Sequence, residues 1–278
     1  MKINGLNSGI ELTTKTNILD IDVPAAMEVN IPTGLKNVDL LMAGDGITPS
    51  TVTMVTGVPG GGKSTLMFQL ADAITGSGNV ALYNGNEESV LQMRKTTKRL
   101  RLKHGFIPAC ETDVFRLVHL LRKVEKENPG KTVFLIQDSL PTLDVPNYAT
   151  DEKTGEPLLE KKGLGKDGFP IWKKTRGRQL SEDNAVVRSS EILSGWAKQS
   201  FNVAFMIGHV NKSGDYAGKG KLKHVIDVHL HLEFDKDRRS DTYGERLLSV
   251  EKNRFGVAGV CFPFEISDRG VRFLENKP

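Results

Sequence analysis

Residues 51–65 read TVTMVTGVPGGGKST, and this stretch decides the class of fold. Its first six residues alternate strand-forming side chains, and a Gly-rich turn follows. The residues from Lys63 onward (KSTLMFQLADAI) place apolar side chains at helical spacing. Gly57 to Ser64 fit the pattern G-x-x-x-x-G-K-[ST], and the flanking strand and helix are the context that this pattern requires. The stretch therefore predicts a phosphate-binding loop rather than a flexible glycine turn.

The residue types in this loop indicate how it would hold a nucleotide. Glycines let backbone N–H groups close around phosphate oxygens, and the start of the following helix adds its dipole. Lys63 would reach the β- and γ-phosphates as a point charge, and the Ser64 hydroxyl would bind Mg²⁺. We expect ATP and Mg²⁺ as cofactors. The predicted nucleotide contacts are Gly57, Val58, Pro59, Gly60, Gly61, Gly62, Lys63, Ser64 and Thr65.

The rest of the chain repeats the alternation of strands and helices. Further strands are predicted at 79–84, 132–139 and 203–208. Helices are predicted at 89–102, 113–127 and 185–199. This order implies an α/β fold with a mostly parallel sheet. The last third, with VIDVHLHLEF, ERLLSVEKNRF and VCFPFEI, is predicted to add antiparallel strands at one edge of that sheet.

Length and composition set the outer limits. The 278 residues suffice for one large domain, and we expect an N-terminal arm at 1–33 followed by an ATPase domain at 34–278. No run of apolar residues is long enough to cross a membrane, and the first residues lack the apolar segment of a secretion signal, so we expect a cytoplasmic protein. Two cysteines are too few for a Cys-rich zinc site. A net charge of +4 is too small to indicate a nucleic-acid-binding protein by itself.

Acidic and histidine side chains at predicted strand ends are the remaining catalytic candidates. Asp138 ends the apolar strand VFLIQ, where a carboxylate would hold Mg²⁺, although a polar residue after a buried strand is commonplace. Glu87 and Glu88 follow the strand VALYN; we favour Glu87 as the base that activates water, and the other glutamate would then only start the next helix. His209 follows the strand VAFMIG and is placed to sense the γ-phosphate; a core or surface histidine is the alternative.

With these motifs in place, the sequence resembles the RadA/Sms type of RecA-like ATPase. The resemblance rests on the phosphate loop followed by STL, on ALYNGNEES, on FLIQDS, on IGHVNKSG followed by AG and HVID, and above all on VEKNRFG at Val250 to Gly256. It extends from about residue 31 to about residue 270. Members of this family normally carry a four-Cys zinc module and a Lon-protease-like domain. Because the chain has two cysteines and ends at Pro278, we expect a core domain alone, of the kind that phages carry.

The resemblance implies a ring, expected to be a hexamer, with ATP at the subunit interfaces. Lys252 and Arg254 would then reach across an interface to the γ-phosphate held by a neighbouring subunit, as an arginine finger does. Without the resemblance, two basic residues alternating at a strand end are more typical of a solvated face. The relevant segment is KNRFG at Lys252 to Gly256.

The resemblance also implies that two loops line the central channel of the ring, here 146–180 and 210–224. The first carries basic residues beside Phe169 and Trp172, which can stack on bases. The second combines lysines with glycines, a composition that suits the DNA backbone rather than its sequence. The predicted DNA contacts are Lys173, Lys174, Arg176 and Arg178 in the first loop, and Lys212, Lys219, Lys221 and Lys223 in the second. By contrast, His229 and His231 alternate on a strand and are expected to form an exposed face rather than a metal pair.

These observations favour a DNA-dependent ATPase of homologous recombination that binds single-stranded DNA in an oligomeric ring and promotes branch migration or strand pairing. Its expected partners are single-stranded DNA, further copies of itself, and a strand-exchange recombinase or other replication and recombination proteins. The alternative is a RecA-like nucleotide switch or recombinase loader, in which the basic loops bind proteins. A replicative helicase is less favoured, because such enzymes normally carry an additional N-terminal domain.

Overall fold

The helices and strands follow in the order that the periodicity predicts. In the computed structural model the described residues are 16–146, 149–150, 157–158, 161–164, 170–172, 182–208 and 219–274. The helices are α1 (Ala25–Glu28), α2 (Lys36–Met42), α3 (Lys63–Gly76), α4 (Val90–Leu100), α5 (Val114–Glu127), α6 (Glu182–Gln199) and α7 (Lys219–Val225). The strands are β1 (Val52–Gly57), β2 (Val80–Gly85), β3 (Ile107–Ala109), β4 (Val133–Asp138), β5 (Ala149–Thr150), β6 (Pro157–Leu158), β7 (Lys161–Leu164), β8 (Pro170–Trp172), β9 (Val203–Ile207), β10 (Val228–Phe234), β11 (Arg246–Asn253), β12 (Cys261–Ser267) and β13 (Gly270–Phe273).

Nine of these strands form one sheet in the described part of the chain, in the order β13-β12-β11-β10-β1-β9-β4-β2-β3. The six strands from β10 to β3 are mutually parallel, and β11, β12 and β13 continue the sheet in antiparallel pairing. The α/β class with a mostly parallel sheet and antiparallel C-terminal edge strands is therefore confirmed. One detail was wrong: VHLHLEF in β10 joins β1 in parallel and is antiparallel only to β11.

Helices cover both faces of the sheet, so its central strands are buried throughout. Every residue of β1, β2, β4 and β9 is buried, which explains their continuous apolar character. One face packs against α2, α3 and α4, and the other packs against α5, α6 and α7. Along β1, Val55 points to the first layer and Met54 to the second.

Two segments predicted as loops contain regular structure. Within 146–180, β5 pairs with β6 and β7 pairs with β8, each as a short antiparallel ribbon. The segment 210–224 includes most of α7, in which Leu222 is buried, and the buried Ile226 follows directly after the helix. The lysines and glycines around these two apolar residues give no helical periodicity, so the helix was not predicted.

The described part of the predicted arm lies mostly on the surface. Ile18, Leu19, Val23 and Val29 are all exposed, while Ile31 makes a backbone bridge with Ile47. The residues before Thr16 lie outside the described part. Among the helices that the structure describes, none is long and apolar enough to cross a membrane.

Candidate functional site

The predicted phosphate loop joins the carboxyl end of β1 to the start of α3, as the sequence indicates. β1 ends at Gly57 beside Leu232 of β10, and α3 begins at Lys63. Within the loop the Gly61 N–H donates to the Val58 carbonyl (3.0 Å), and the Leu66 N–H donates to the Gly62 carbonyl (2.9 Å). The first backbone N–H groups of α3 thus face the loop, which is the arrangement that binds anions at helix starts.

Two glycines in the loop are required by its surroundings. A Cβ on Gly57 would lie 2.3 Å from the Leu232 carbonyl oxygen, so no other residue could pair with β10 at this point. Gly62 has φ of +101° and a Cβ there would lie 2.4 Å from Cδ1 of Ile266 on β12. The loop is therefore closely packed against β10 and β12, and there is no room for a side chain at Gly57 or Gly62.

Lys63 lies at the mouth of the loop with its ammonium enclosed by backbone oxygens. Its Nζ donates to the Gly57 carbonyl (2.8 Å) and to the Val58 carbonyl (3.0 Å), and the residue is only 6% exposed. Burial lowers the pKa of Lys63, while the nearby carboxylates of Asp138 and Glu87 act in the opposite direction. The charge is thus placed between the loop and the two acidic candidates.

Asp138 and Glu87 come together in a recess beside the start of α3. The recess is lined by Ser64, Phe68, Tyr83, Gly85, Glu87, Glu88, Met93 and Asp138. Asp138 ends β4 and is buried, and it accepts a hydrogen bond from the Tyr83 hydroxyl (2.5 Å). Glu87 is exposed and accepts a hydrogen bond from the Ser139 hydroxyl (2.8 Å). The structure thus joins Ser64, Asp138 and both candidate bases, Glu87 and Glu88, in one place.

A buried polar network holds the strand ends behind this recess. The Asn84 side chain donates to Gln137 Oε1 (2.7 Å) and accepts from the Glu111 N–H (2.8 Å). Gln137 in turn donates to the Ser139 carbonyl (2.8 Å). Because Ser139 holds Glu87, the network fixes the chain at the point from which the candidate base projects.

Lys252 and Arg254 lie near the amino ends of the parallel strands, whereas the phosphate loop lies at their carboxyl ends. Lys252 on β11 is level with His229 at the start of β10, whereas Gly57 is level with Leu232 near its end. Arg254 donates through Nη1 to Oδ1 of Asp227 (2.9 Å), and Asp227 is only 2% exposed. Five residues of strand separate Asp227 from Leu232, which is about 17 Å. Neither basic side chain is therefore near the phosphate loop of its own chain.

Asp227 binds several groups near these amino ends. Its Oδ2 accepts from the N–H of Val52, the first residue of β1 (3.1 Å), and Lys198 on α6 lies 3.7 Å from its Oδ1. The ammonium of Lys252 donates to the carbonyls of Lys223 and Ile226 at the end of α7 (2.7 and 2.5 Å). Burial lowers the pKa of Lys252, and the adjacent charge of Arg254 adds to that shift.

Known proteins resemble the chain in sequence over nearly its whole length. The DNA repair protein RadA of Mycolicibacterium smegmatis is 29% identical over 290 residues, which span 100% of this chain and 54% of that protein. RadA of Mycobacterium tuberculosis is 30% identical over 256 residues, with 89% and 45% covered, and RadA of Bacillus subtilis is 27% identical over 255 residues, with 91% and 47% covered. The chain is RadA-like. It spans about half the length of these relatives, and no protein-family model matches it.

Solved structures agree with this likeness at the level of the fold. One of them, described as an ATPase domain, has a TM-score of 0.66 at 15% identity and covers 90% of this chain and 93% of that one. A DnaB-like replicative helicase, described with its interactions with primase, gives a TM-score of 0.67 at 16% identity, with 89% and 64% covered. The RadA-like core therefore has the RecA-like ATPase fold, and the resemblance drawn from the sequence motifs is confirmed.

Several predicted residues of the RadA-like core lie outside the described part of the chain. They are His209, Lys173, Lys174, Arg176, Arg178 and Lys212, together with Phe169. Lys219 opens α7, and the side chains of Lys221 and Lys223 on that helix are exposed. His229 and His231 are half-buried rather than an exposed face. Their ring nitrogens lie 2.7 and 2.8 Å from the Thr56 hydroxyl oxygen, which leaves them paired with the strand that carries the phosphate loop.

The sequence motifs missed three polar residues of the RadA-like core that shape the recess: Tyr83, Asn84 and Gln137. All three are fully buried within strands that are otherwise apolar. That contrast was visible in VALYNG and VFLIQD, because a buried polar side chain needs a partner and here each partner belongs to the site or its support.

The groups that line the recess fit a magnesium ion. Ser64 supplies a hydroxyl oxygen and Asp138 a carboxylate oxygen, and the other polar groups of the lining are also oxygens. Mg²⁺ prefers hard oxygen ligands, few from protein and the rest from water and phosphate. Ser64 and Asp138 are therefore the residues that would hold it.

Proposed function

We propose that the chain is a Mg²⁺-dependent ATP hydrolase of the RadA type, which assembles into a ring around single-stranded DNA and works in homologous recombination. The observation that carries the proposal is the junction of β1 and α3. A glycine-cradled loop and Lys63 lie there beside two carboxylates on neighbouring strand ends. This arrangement supports phosphoryl transfer to water better than nucleotide binding alone, because an acidic group is held next to the phosphate site.

Each side chain of the site then has a defined task. The backbone N–H groups of 57–65 would bind the phosphates, and Lys63 would exchange its carbonyl partners for oxygens of the β- and γ-phosphates. Glu87, fixed by Ser139, would orient the attacking water and accept its proton. Ser64 and Asp138 would hold Mg²⁺, which when bound would supply positive charge to stabilise the phosphoryl oxygens. His209, which follows β9, would sense the γ-phosphate.

The position of Lys252 and Arg254 supports a shared site. Because they lie near the amino ends of the parallel strands, away from the loop of their own chain, they can contribute charge only to a nucleotide held by another subunit. An arginine supplied in this way stabilises the transition state of phosphoryl transfer. We infer a ring, most simply a hexamer, in which each subunit completes the site of its neighbour.

The DNA-facing side of the proposal rests on charge. Exposed Lys221 and Lys223 project from α7, next to the segment 209–218. Flexible lysines of this kind bind the phosphate backbone without reading sequence. Together with Lys219 and Lys212, and with Lys173, Lys174, Arg176 and Arg178 in the first loop, they would line the channel.

Lys63→Ala, assayed with and without single-stranded DNA, tests the proposal. The wild-type chain should hydrolyse ATP faster when saturated with single-stranded DNA, and Lys63→Ala should lower the rate by about 100-fold or more under both conditions. Phosphate release measures the rates, and Lys36→Ala, which changes an exposed lysine of α2, is the matched control.

Two results would contradict the proposal in different ways. Full turnover in Lys63→Ala would remove the phosphate-loop assignment. A wild-type rate that DNA does not change, with no DNA retained at low salt, would leave the ATPase but favour the nucleotide switch that acts through protein partners.

A further inference from the structure

Tyr83 contacts Asp138, one of the acidic residues of the recess, from the neighbouring strand β2. It lies in the middle of β2, is 1% exposed, and its hydroxyl donates to Oδ2 of Asp138 at 2.5 Å. The two residues project from adjacent parallel strands, since Tyr83 is level with Ile136 and Gly85 is level with Asp138. The tyrosine therefore reaches forward by two residues, to the next position on the same face, to meet the carboxylate.

Gly85 makes this reach possible. A Cβ at this position would lie 3.1 Å from Cε1 of Tyr83 and 2.6 Å from the terminal methyl of Met93. The absence of a side chain at Gly85 leaves the space into which the tyrosine ring leans. The geometry of the hydrogen bond is therefore built into the sequence LYNG of the strand, and not only into the tyrosine.

Two aromatic rings hold the tyrosine in place. Phe68 on α3 stacks on it with ring centroids 4.5 Å apart and an interplanar angle of 11°. Phe106, which precedes β3, lies 5.3 Å from it on centroids. Because Phe68 belongs to the helix that begins at Lys63, the ring is fixed to the same element that carries the phosphate loop.

The hydroxyl of Tyr83 is a buried donor to Asp138. Burial raises the pKa of Tyr83 well above its ordinary value, and the charge and hydrogen bond of Asp138 add to the shift, while the Ser64 hydroxyl acts in the opposite direction. The tyrosine hydroxyl thus contacts Asp138, one of the two residues that would hold Mg²⁺.

We propose that Tyr83 is a positioning residue for Asp138: its hydroxyl occupies one carboxylate oxygen and so directs the other toward the Mg²⁺ site. This inference rests on the proposed function. A buried carboxylate without a donor would be free to rotate, and the hydrogen bond from Tyr83 holds it in one orientation. Tyr83 is not one of the residues assigned to nucleotide or metal contact, so its proposed effect passes through Asp138.

Tyr83→Phe tests the role, because it deletes the hydroxyl and keeps the ring in its stack. The readout is binding of a fluorescent ATP analogue, titrated with Mg²⁺ and measured separately in EDTA. The concentration of Mg²⁺ that gives half of the metal-dependent binding should rise about tenfold, with affinity in EDTA unchanged, since only the metal-facing carboxylate is affected. Tyr243→Phe, at an exposed tyrosine, is the matched control and should leave both quantities unchanged.

A merely structural role predicts other results. Equal loss of affinity with and without Mg²⁺ in Tyr83→Phe, or an unchanged Mg²⁺ requirement, would overturn the proposal. If Tyr83→Phe does not fold, Phe106→Leu takes its place: it keeps the hydroxyl but loosens the stack, and should raise the Mg²⁺ requirement by a smaller factor. An unchanged requirement in that variant would count against the role.

Lys63→Ala in the same assay separates the two proposals. Binding by the wild type and not by Lys63→Ala, with Tyr83→Phe identical to the wild type, would overturn only the role of Tyr83. Wild-type binding that Lys63→Ala retains in full would overturn the proposed function, and the role of Tyr83 with it.

Discussion

Gly62 shows how a single residue of the phosphate loop depends on a strand far away in sequence. Its φ of +101° is left-handed, and the place where a Cβ would stand is filled by Cδ1 of Ile266. Backbone conformation and packing therefore both require glycine, and they can be separated because the obstructing atom is the end of one side chain.

Gly62→Ala should destabilise the fold by about 2–4 kcal/mol, the sum of left-handed strain in a residue with a Cβ and of overpacking against Ile266. Ile266→Val deletes Cδ1 and should restore about 1 kcal/mol of this loss when the two changes are combined. Urea unfolding of both single variants and the double variant measures the coupling. Strict additivity of the two changes would mean that Ile266 does not set the packing of the loop.

At the same scale, the sequence predicted the residues that belong to a continuous motif and missed those that act through the fold. Gly57 to Ser64 form one pattern, so their grouping needed no tertiary information. The sequence VALYNG shows a polar residue in an apolar strand, but the partner of Tyr83 could be identified only when β2 and β4 were paired, because Asp138 lies 55 residues away. A tyrosine in a buried strand is ordinary until the acceptor of its hydroxyl is known.

Among the secondary-structure elements, periodicity located those whose burial is regular. Strands β1, β2, β4 and β9 are buried throughout, and α5 shows a clean apolar stripe, so their patterns were unambiguous. Helix α7 was missed, because Leu222 is its only fully buried side chain among the residues described there. The parallel pairing of β10 with β1 was also missed, because pairing partners are not encoded in the pattern of a single strand.

Helix α7 carries a prediction of its own. Lys221 and Lys223 flank the buried Leu222 and both are exposed. The double change Lys221→Ala and Lys223→Ala should weaken binding of single-stranded DNA and lower the slope of log affinity against log salt by about 1.4, since each phosphate contact on a single strand contributes about 0.7. Fluorescence anisotropy at several salt concentrations measures both quantities.

Lys95→Ala with Lys98→Ala is the control for α7, because both lysines are exposed on α4 and belong to a basic run scattered around that helix. This pair should leave the slope unchanged. An unchanged slope in the α7 variant, or an equal fall in both variants, would remove α7 from the proposed channel.

Across the whole molecule, the length of the parallel strands separates the candidate nucleotide site from the basic residues Lys252 and Arg254. The phosphate loop, Glu87 and Asp138 lie at the carboxyl ends of the parallel strands, and Lys252 and Arg254 lie near the amino ends. Asp227 joins Arg254 to β1 by accepting from both Val52 and Arg254. A subunit of this shape has a site at one end of the strands and a charged contact at the other, which suits head-to-tail assembly into a closed ring.

Shared sites predict complementation between two inactive variants. Lys63→Ala keeps Arg254, and Arg254→Ala keeps the phosphate loop, so each alone should be nearly inactive. Random mixing in equal amounts should restore about one quarter of the wild-type rate, because one interface in four then joins an intact loop to an intact arginine. Phosphate release from the two variants, separate and mixed, gives the comparison.

The arginine variant needs a stability control, because its removal leaves Asp227 with Lys198 as its remaining cationic contact among the described residues. Thermal unfolding should show that Arg254→Ala is folded at the assay temperature. Full turnover by Arg254→Ala as a monomer, or a mixture no faster than its components, would exclude the shared site.

The ammonium of Lys252 has two alternative sets of partners, the carbonyls at the end of α7 and, in the proposed ring, a phosphate of the neighbour. In the isolated subunit it binds the carbonyls of Lys223 and Ile226, which close the last turn of α7. In the proposed ring a phosphate of the neighbour would compete with these carbonyls for the three N–H donors of the ammonium. If Lys252 turned to the neighbour's nucleotide, α7 would lose one or both of these hydrogen bonds. The affinity of the α7 lysines for DNA in one subunit would then depend on the nucleotide bound to the neighbouring subunit.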